Sequence, residues 1–348
     1  MVAGMAPSHA NNFTVLRIAA ATLVLLSHCY DVQRLDDIAY RSTGFRFGAI
    51  AVAAFFVISG FLVLKSFERR QDIAAFARAR ALRILPGLWA MLLVTTVVLG
   101  LFFSTLPASE FFDDMRTIKY LACNMLVGPY CYTLPGVFES NPAGPHVNGQ
   151  LWTLKFEVAC YVLLALAGVL GLLQSNIRKT WVFAAMLCLY AVWLALTWNG
   201  PPSFMKASIA GEVTSFANFG LCFLIGMMYA SWPIKVRFWH VAAIAAVFAL
   251  LIGTPFAPAA LAVLIGAAVF WLAYLKPLFA VEPPDLSYGL YIYGGPIQQG
   301  IISIVGAIDP LLFFLPSLVL TAIPAWMSWH YVEKPALRLK DLRLQTTT

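Results

Sequence analysis

The sequence predicts an all-α, polytopic integral membrane protein of about ten transmembrane helices with both termini in the cytoplasm. Three observations predict it. Of 348 residues, 61% are hydrophobic and 11% charged, against about 25% charged in soluble domains, which excludes a water-soluble two-domain protein. Charge-free apolar stretches recur at lengths that suit a bilayer, where a helix needs about 20 mostly apolar residues. Lys and Arg gather on alternate connections, as the positive-inside rule requires.

The first apolar segment, 13–32, carries Arg17 near its start and His28 near its end. Uncharged runs follow at 47–64, 84–109, 158–177, 180–205, 213–234, 238–275, 286–308 and 310–332. The run 238–275 is too long for one helix, and GTPFAP (253–258) divides it, because Gly and Pro end helices. The total is ten. A cytoplasmic N-terminus places sixteen Lys and Arg inside and six outside, with Lys155 within a helix. Nine spans would instead put the basic tail EKPALRLKDLR outside.

Residues 1–12 and 333–348 therefore read as cytoplasmic tails and 13–332 as the transmembrane domain. Within it, 66–83 is a basic, partly helical cytoplasmic loop, and 106–150 an outer loop rich in Pro, Gly and Asn. The Arg inside the first segment and the lack of an A-x-A site after it argue against a cleavable signal peptide. No internal repeat is visible. The net charge of +7 reads as an orientation signal, and without a basic run interleaved with aromatics nucleic acid is discarded as a partner. Six cysteines and five histidines show no metal-ligand spacing, so no metal is expected. Cys123 and Cys131 share the outer loop, where they form either a disulfide or two free thiols in a packed segment. Cys29, Cys160, Cys188 and Cys222 read as small packing residues.

An ionisable group inside a bilayer is a functional candidate by default, because it costs several kcal/mol unless it meets a cavity or a partner. Arg17 and His28 are eleven steps apart, which returns them to one helix face with about 16 Å of rise between them. That stripe suits an anionic ligand held by Arg with its reactive end at His. The bland reading has Arg17 snorkelling to headgroups and His28 satisfying a carbonyl. Glu157, with Thr153 and Tyr161 at i−4 and i+4, suits either proton acceptance or orientation of His28, or else a structural hydrogen bond. Arg80 and Arg83, three apart before the third span, suit phosphate binding or positive-inside anchoring. Ser59 and Gly60 in FFVISGF suit close helix packing. His9, His146, His240 and His330 receive no catalytic role.

At these residues the chain resembles the membrane-bound acyltransferase 3 family, over about residues 11–340. FTVLRIAAATLVLLSHCYDV resembles the opening helix, with its Arg, ten residues, then His. FFVISGFLV is similar to the second helix and RALRILP to the Arg, two residues, Arg signature. LPGVFESNPAGPHVNGQLWTLKFEVACY resembles the outer loop and fourth helix of one branch, and LSYGLYIYGGPIQQ and WHYVEKPALR its closing motifs. The resemblance implies transfer of an acyl group, acetyl or short-chain, from acyl-CoA to a hydroxyl of a saccharide or glycan precursor. It implies His28 as the catalytic histidine with Arg17 as partner and Glu157 in support, and Arg80 and Arg83 holding the donor. Trp152, Asn148 and Tyr288, inside these motifs, are assigned to the acceptor pocket. No permanently bound cofactor is implied; acyl-CoA is a substrate, and the setting is membrane lipid, in the bacterial inner membrane.

Two departures stand out. Many members carry His where this chain has Gly294, so that position supplies no essential base here. Lys155 replaces a residue that is often Pro or Ser. The extracytoplasmic esterase-like domain of some members is not expected, so transfer finishes within the membrane domain. The competing class is a transporter or flippase, in which intramembrane Arg, His and Glu line a path; the lack of paired broken helices in an inverted repeat counts against it. The other large family of membrane-bound acyltransferases places its key His in a late span, whereas the best candidate here is in the first. Neither the acceptor nor the oligomeric state is legible.

Overall fold

The computed structural model describes residues 11–70, 72–279 and 281–341, so His9, Arg343 and most of the N-terminal tail lie outside it. Ten helices of fourteen residues or more occur among the described residues. They are α1 (Phe13–Asp31), α2 (Phe47–Arg70), α3 (Ile73–Phe102), α4 (Leu154–Val169), α5 (Asn176–Leu196), α6 (Ala207–Ser231), α7 (Phe238–Leu251), α8 (Ala257–Ala273), α9 (Ser287–Val305) and α10 (Pro310–Ser328). Each overlaps one predicted segment.

Seven stretches are long and apolar enough to cross a membrane: α1, α2, α3, α5, α6, α4 with the turn before it, and α10 with its extension to Arg338. The helices α7 and α8 are shorter and apolar. Among the described residues no strand forms, only two isolated antiparallel bridges, Ser104 with Val137 and Thr133 with His146.

Local chemistry explains the ends. The break expected at GTPFAP is made by Gly253 at φ +80° and Thr254, whose hydroxyl donates to Leu251 O at 2.7 Å, before α8 restarts with a proline in its first turn. Asp309 caps α10 by accepting from Leu311 N and Leu312 N at 2.9 and 3.2 Å. The basic stretch 66–83, expected as a partly helical loop, is helical over nearly all of its length. It is helical up to Arg70 and again from Ile73, because IAAFARARALR is rich in strong helix formers and Asp72 accepts from Ala74 N at 2.9 Å. Arg80 and Arg83 thus stand on α3 itself, and the helix continues through Pro86.

Packing divides the chain into two units, each assembled from separate stretches. The first unit takes the chain up to Ala20, Val52–Leu64 and Leu173–Asp285. Its centre is an aromatic cluster in which Tyr229 stacks on Phe270 at 3.6 Å and Phe13 meets Phe61 at 5.2 Å. Helices α2 and α6 approach backbone to backbone: a Cβ at Gly60 would strike the Phe223 carbonyl, and one at Gly226 the Val57 carbonyl. Small residues of this kind drive helix association in lipid, where no hydrophobic force separates one apolar face from another.

The second unit takes Ala21–Ala51, Lys65–Leu172 and the chain from Leu286 on. Helix α9 packs closely on α10, with Gly289 against Ala325, and Cys29, Val32, Ile302 and Phe313 form a small buried core. The outer loop folds into helices Ala108–Asp113 and Met115–Met125, and Cys123 and Cys131 form a disulfide. At the exposed start of the second of these, the Arg116 guanidinium holds the Asp114 carboxyl below its usual range. After α10 a π-helical turn, Trp329–Glu333, leads on into a short helix, Lys334–Arg338, and Arg78 Nη2 donates to Lys340 O at 3.2 Å.

Two glycines of the first unit separate close packing from mere helix propensity. Gly60→Ala must push α6 away and should cost about 1–3 kcal/mol, whereas Gly220→Ala, with nothing within 4 Å of its added Cβ, should be neutral or stabilising. The thermal unfolding midpoints of the two detergent-solubilised variants check this.

Candidate functional site

In the first unit, Arg17 is held by a carboxylate. Its Nη2 lies 2.9 Å from Asp285 Oδ2, and Asp285 is almost fully buried. One turn earlier, the Thr14 hydroxyl donates to Glu282 Oε1 at 2.5 Å. Burial of Asp285 favours a charge pair with the half-buried Arg17, since a lone buried ion leaves its solvation uncompensated. Arg17 is therefore no simple headgroup anchor, and Asp285, which sequence reasoning did not single out, is its partner. The only hint was an acid preceding the LSYGLYIYG motif.

The second unit holds His28. Its Nδ1 lies 3.3 Å from Asp31 Oδ2, one helical turn on. Asp31 Oδ1 in turn accepts from Arg46 Nη1 at 2.6 Å, and Arg46 Nη2 reaches Asp36 Oδ1 at 2.6 Å. Helix α1 ends here in a tight turn with Arg34 at φ +58°, closed by Leu35 N donating to Tyr30 O at 3.0 Å. The segment that follows is anchored by fully buried Asp37, which accepts from the Ser27 hydroxyl, Tyr40 N and Phe47 N, each at 2.8 Å. The sequence signalled neither Asp31 nor Asp37, because a carboxylate at a predicted span end reads as an ordinary interfacial residue.

A second cluster surrounds the arginines of α3. The Arg80 guanidinium lies 5.7 Å from the Tyr161 ring, whose hydroxyl donates to Glu157 Oε1. Glu157 stands in the first turn of α4, which starts earlier than the predicted segment 158–177. Tyr288 donates to Ile84 O at 2.8 Å and lies within electrostatic reach of Arg83, Glu157 and Glu333. Glu333, buried after α10, accepts from the Ser328 hydroxyl at 2.8 Å and packs beside Gly87 and Tyr288. It too escaped sequence reasoning, which placed it in a cytoplasmic tail. The structure thus brings Arg80, Arg83, Glu157 and Tyr288 into one neighbourhood, whereas the carboxylate at His28 is Asp31.

Between the two clusters the outer loop dips against α9. Asn148 Nδ2 donates to Ile292 O at 2.7 Å, Gln150 Nε2 to Tyr291 O at 2.8 Å, and the Thr153 and Tyr291 hydroxyls share a hydrogen bond. Gly294 and Gly295 make this possible: a side chain at Gly294 would meet Leu25 and Gln150, and one at Gly295 would meet Gln150 and Asn148. A side chain at 294 would have to displace the ends of Leu25 and Gln150 from the space they fill. Trp152 meets the Phe156 ring edge-on at 5.5 Å, and Lys155 Nζ lies 5.0 Å from the same ring. Nearby, burial pushes the Tyr130 phenol well above its usual range, so it stays neutral.

Contacts along α9 set the spacing of the clusters. Tyr288 touches α3 beside Arg83, and Gln298 donates to Leu25 O and to Cys29 Sγ, the residues flanking His28 on α1. Ten residues of helix, about 15 Å, separate the two levels.

The fold and site define an integral membrane protein that carries an imidazole at one level of a helical unit and paired guanidinium groups at another. The acyltransferase 3 family model, described as an acyltransferase domain, matches residues 11–330; the chain belongs to this family and is an O-acyltransferase. It is 27% identical over 357 residues to nodulation protein 10 of Rhizobium leguminosarum bv. viciae, covering 95% of this chain and 94% of that protein. It is 26% identical over 352 residues to an O-acetyl transferase of Shigella phage Sf6, covering 96% and 98%. No solved structure matches the chain.

The Arg17–Asp285 pair yields a direct test. Asp285→Asn should lower the thermal midpoint, and adding Arg17→Gln should recover part of the loss, with a coupling of about 1–2 kcal/mol in a double-mutant cycle. Additive effects would show that the two charges do not depend on each other.

Proposed function

We propose that the protein transfers an acetyl or other short acyl group from acyl-CoA to a hydroxyl of a saccharide or glycan precursor, in the bacterial inner membrane with the N-terminus cytoplasmic. The observation that supports this reading best is the spacing within the second unit of a family member: Tyr288, which meets α3 beside Arg83, and Gln298, which meets α1 on either side of His28, stand about 15 Å apart along α9. Arg80 and Arg83 engage the donor phosphates by charge-assisted hydrogen bonds, for which the planar guanidinium fork is suited. The acyl thioester then lies toward His28. Arg17, within the first unit, is kept in place by Asp285.

His28 acts as the general base. It takes the proton of the acceptor hydroxyl as the oxygen attacks the thioester carbonyl; the carbon–sulfur bond breaks, and the departing CoA thiolate takes that proton back from the imidazolium. An imidazole suits both halves, because its ordinary pKa lies near neutrality. Glu157 supports the donor cluster through Tyr161, Tyr288 belongs to that cluster beside Arg83 rather than to the acceptor side expected from the motifs, and Asn148 and Trp152 line the acceptor side.

The test separates chemistry from donor binding. Purified wild-type protein should release CoA thiol from acetyl-CoA, with water taking the acyl group in place of the saccharide hydroxyl. His28→Ala should abolish release with unchanged abundance, whereas Arg80→Gln and Arg83→Gln should raise KM for acetyl-CoA about tenfold, about 1.4 kcal/mol of lost binding each, with a smaller effect on kcat. Release that survives in His28→Ala would remove the assignment.

A further inference from the structure

We infer that Asp31 is the positioning residue of His28, holding the imidazole with Nδ1 protonated and Nε2 facing the acceptor hydroxyl, and that Arg46 holds Asp31 in turn. The inference rests on the proposed reading of His28 as the base.

Geometry carries it. On α1 the two residues are one turn apart, so the carboxylate comes back toward the ring of a residue on the same side of the helix. Asp31 Oδ2 lies 3.3 Å from His28 Nδ1, and the other oxygen, Oδ1, is already committed to Arg46 Nη1 at 2.6 Å. The carboxylate thus divides its two oxygens between a ring nitrogen and a guanidinium. Arg46 is itself pinned, with Nη1 also donating to Leu35 O at 3.2 Å, Nη2 on Asp36 at 2.6 Å and the guanidinium 4.8 Å from the Tyr40 ring. The turn after α1 is locked by Asp37 through Ser27 and Phe47. Each link restricts the next, so the imidazole inherits a fixed direction.

An acceptor at Nδ1 decides the tautomer. A neutral imidazole carries one N–H; when a carboxylate accepts it at Nδ1, the lone pair that remains is on Nε2. The same carboxylate stabilises the imidazolium formed after proton transfer, without itself becoming protonated. The charged groups around His28 are Asp31 on its own helix, Arg46 at the start of α2, and Asp36 and Asp37 on the connecting segment; the side packed on α9 and α10 offers Gln298, Ile302 and Phe313, which carry no charge.

Removal of the negative charge destabilises the imidazolium and must lower the histidine's apparent pKa. Since a base works when deprotonated, the acid limb of the rate then moves to lower pH. Removal of the Arg46 charge must act in the opposite sense.

The experiment is CoA thiol release from acetyl-CoA by the purified full chain, followed across pH for wild type, Asp31→Asn, Asp31→Glu, Arg46→Gln and His28→Ala. Asp31→Asn should lose about a hundredfold or more in kcat, with KM for acetyl-CoA within about twofold of wild type and the acid limb at lower pH. Asp31→Glu should restore part of the rate, and Arg46→Gln should move the acid limb to higher pH. A silent His28→Ala with an Asp31→Asn variant whose acid limb stays in place, and whose loss matches its loss of folded protein, would overturn the role of Asp31 alone. Release by His28→Ala would instead overturn the reading of His28 beneath it.

Discussion

A charge inside a membrane-embedded helix must be matched or it destabilises the fold by several kcal/mol, and this constraint organises the molecule. Arg17 is matched by Asp285, His28 by Asp31, Asp31 by Arg46, and the Glu157 and Glu333 carboxylates by hydroxyls of Tyr161 and Ser328. Several of these partners come from helix ends or connecting segments rather than from helix centres. The connections therefore do more than join spans, since they carry the counter-charges that let reactive groups remain in the apolar interior.

Helix α9 shows how such matching becomes a site. It carries Gly294, Gly295, Pro296, Gln298 and Gln299 in its middle, and its backbone and side chains meet three other parts of the second unit. Tyr288 ties it to α3, Tyr291 and Ile292 receive the dipping outer loop, and Gln298 ties it to α1. The glycines let loop side chains lie against the helix backbone, and the glutamines satisfy carbonyls that would otherwise face an apolar wall. One helix thus fixes the height of the arginines, the loop and the histidine relative to each other.

The spans were legible because apolar length and turn residues are local signals; GTPFAP is the clearest case, with one glycine and two prolines dividing a run that composition alone would have left whole. Helix ends were less legible. The segment holding Arg80 and Arg83 reads as a partly helical loop, yet its alanines and the Asp72 cap make it continuous helix from Ile73 on. Arg17, His28 and the α3 arginines stood out because ionisable groups in apolar surroundings are rare. Their partners did not, because Asp31, Asp285 and Glu333 lie at segment ends where carboxylates are unremarkable in sequence, and only folding brings them to their cations or hydroxyls. Gly294 reads as a missing histidine until Leu25 and Gln150 are seen to fill its space.

The central claim is that this chain places an ester-linked acyl group on a cell-surface saccharide through His28. Mass spectrometry of surface glycans from bacterial cells expressing wild type, His28→Ala or no copy tests it most directly. The account predicts an acyl mass increment, removable by mild alkali, in wild-type cells alone. The same increment in cells carrying His28→Ala, or its absence from all three, would contradict it.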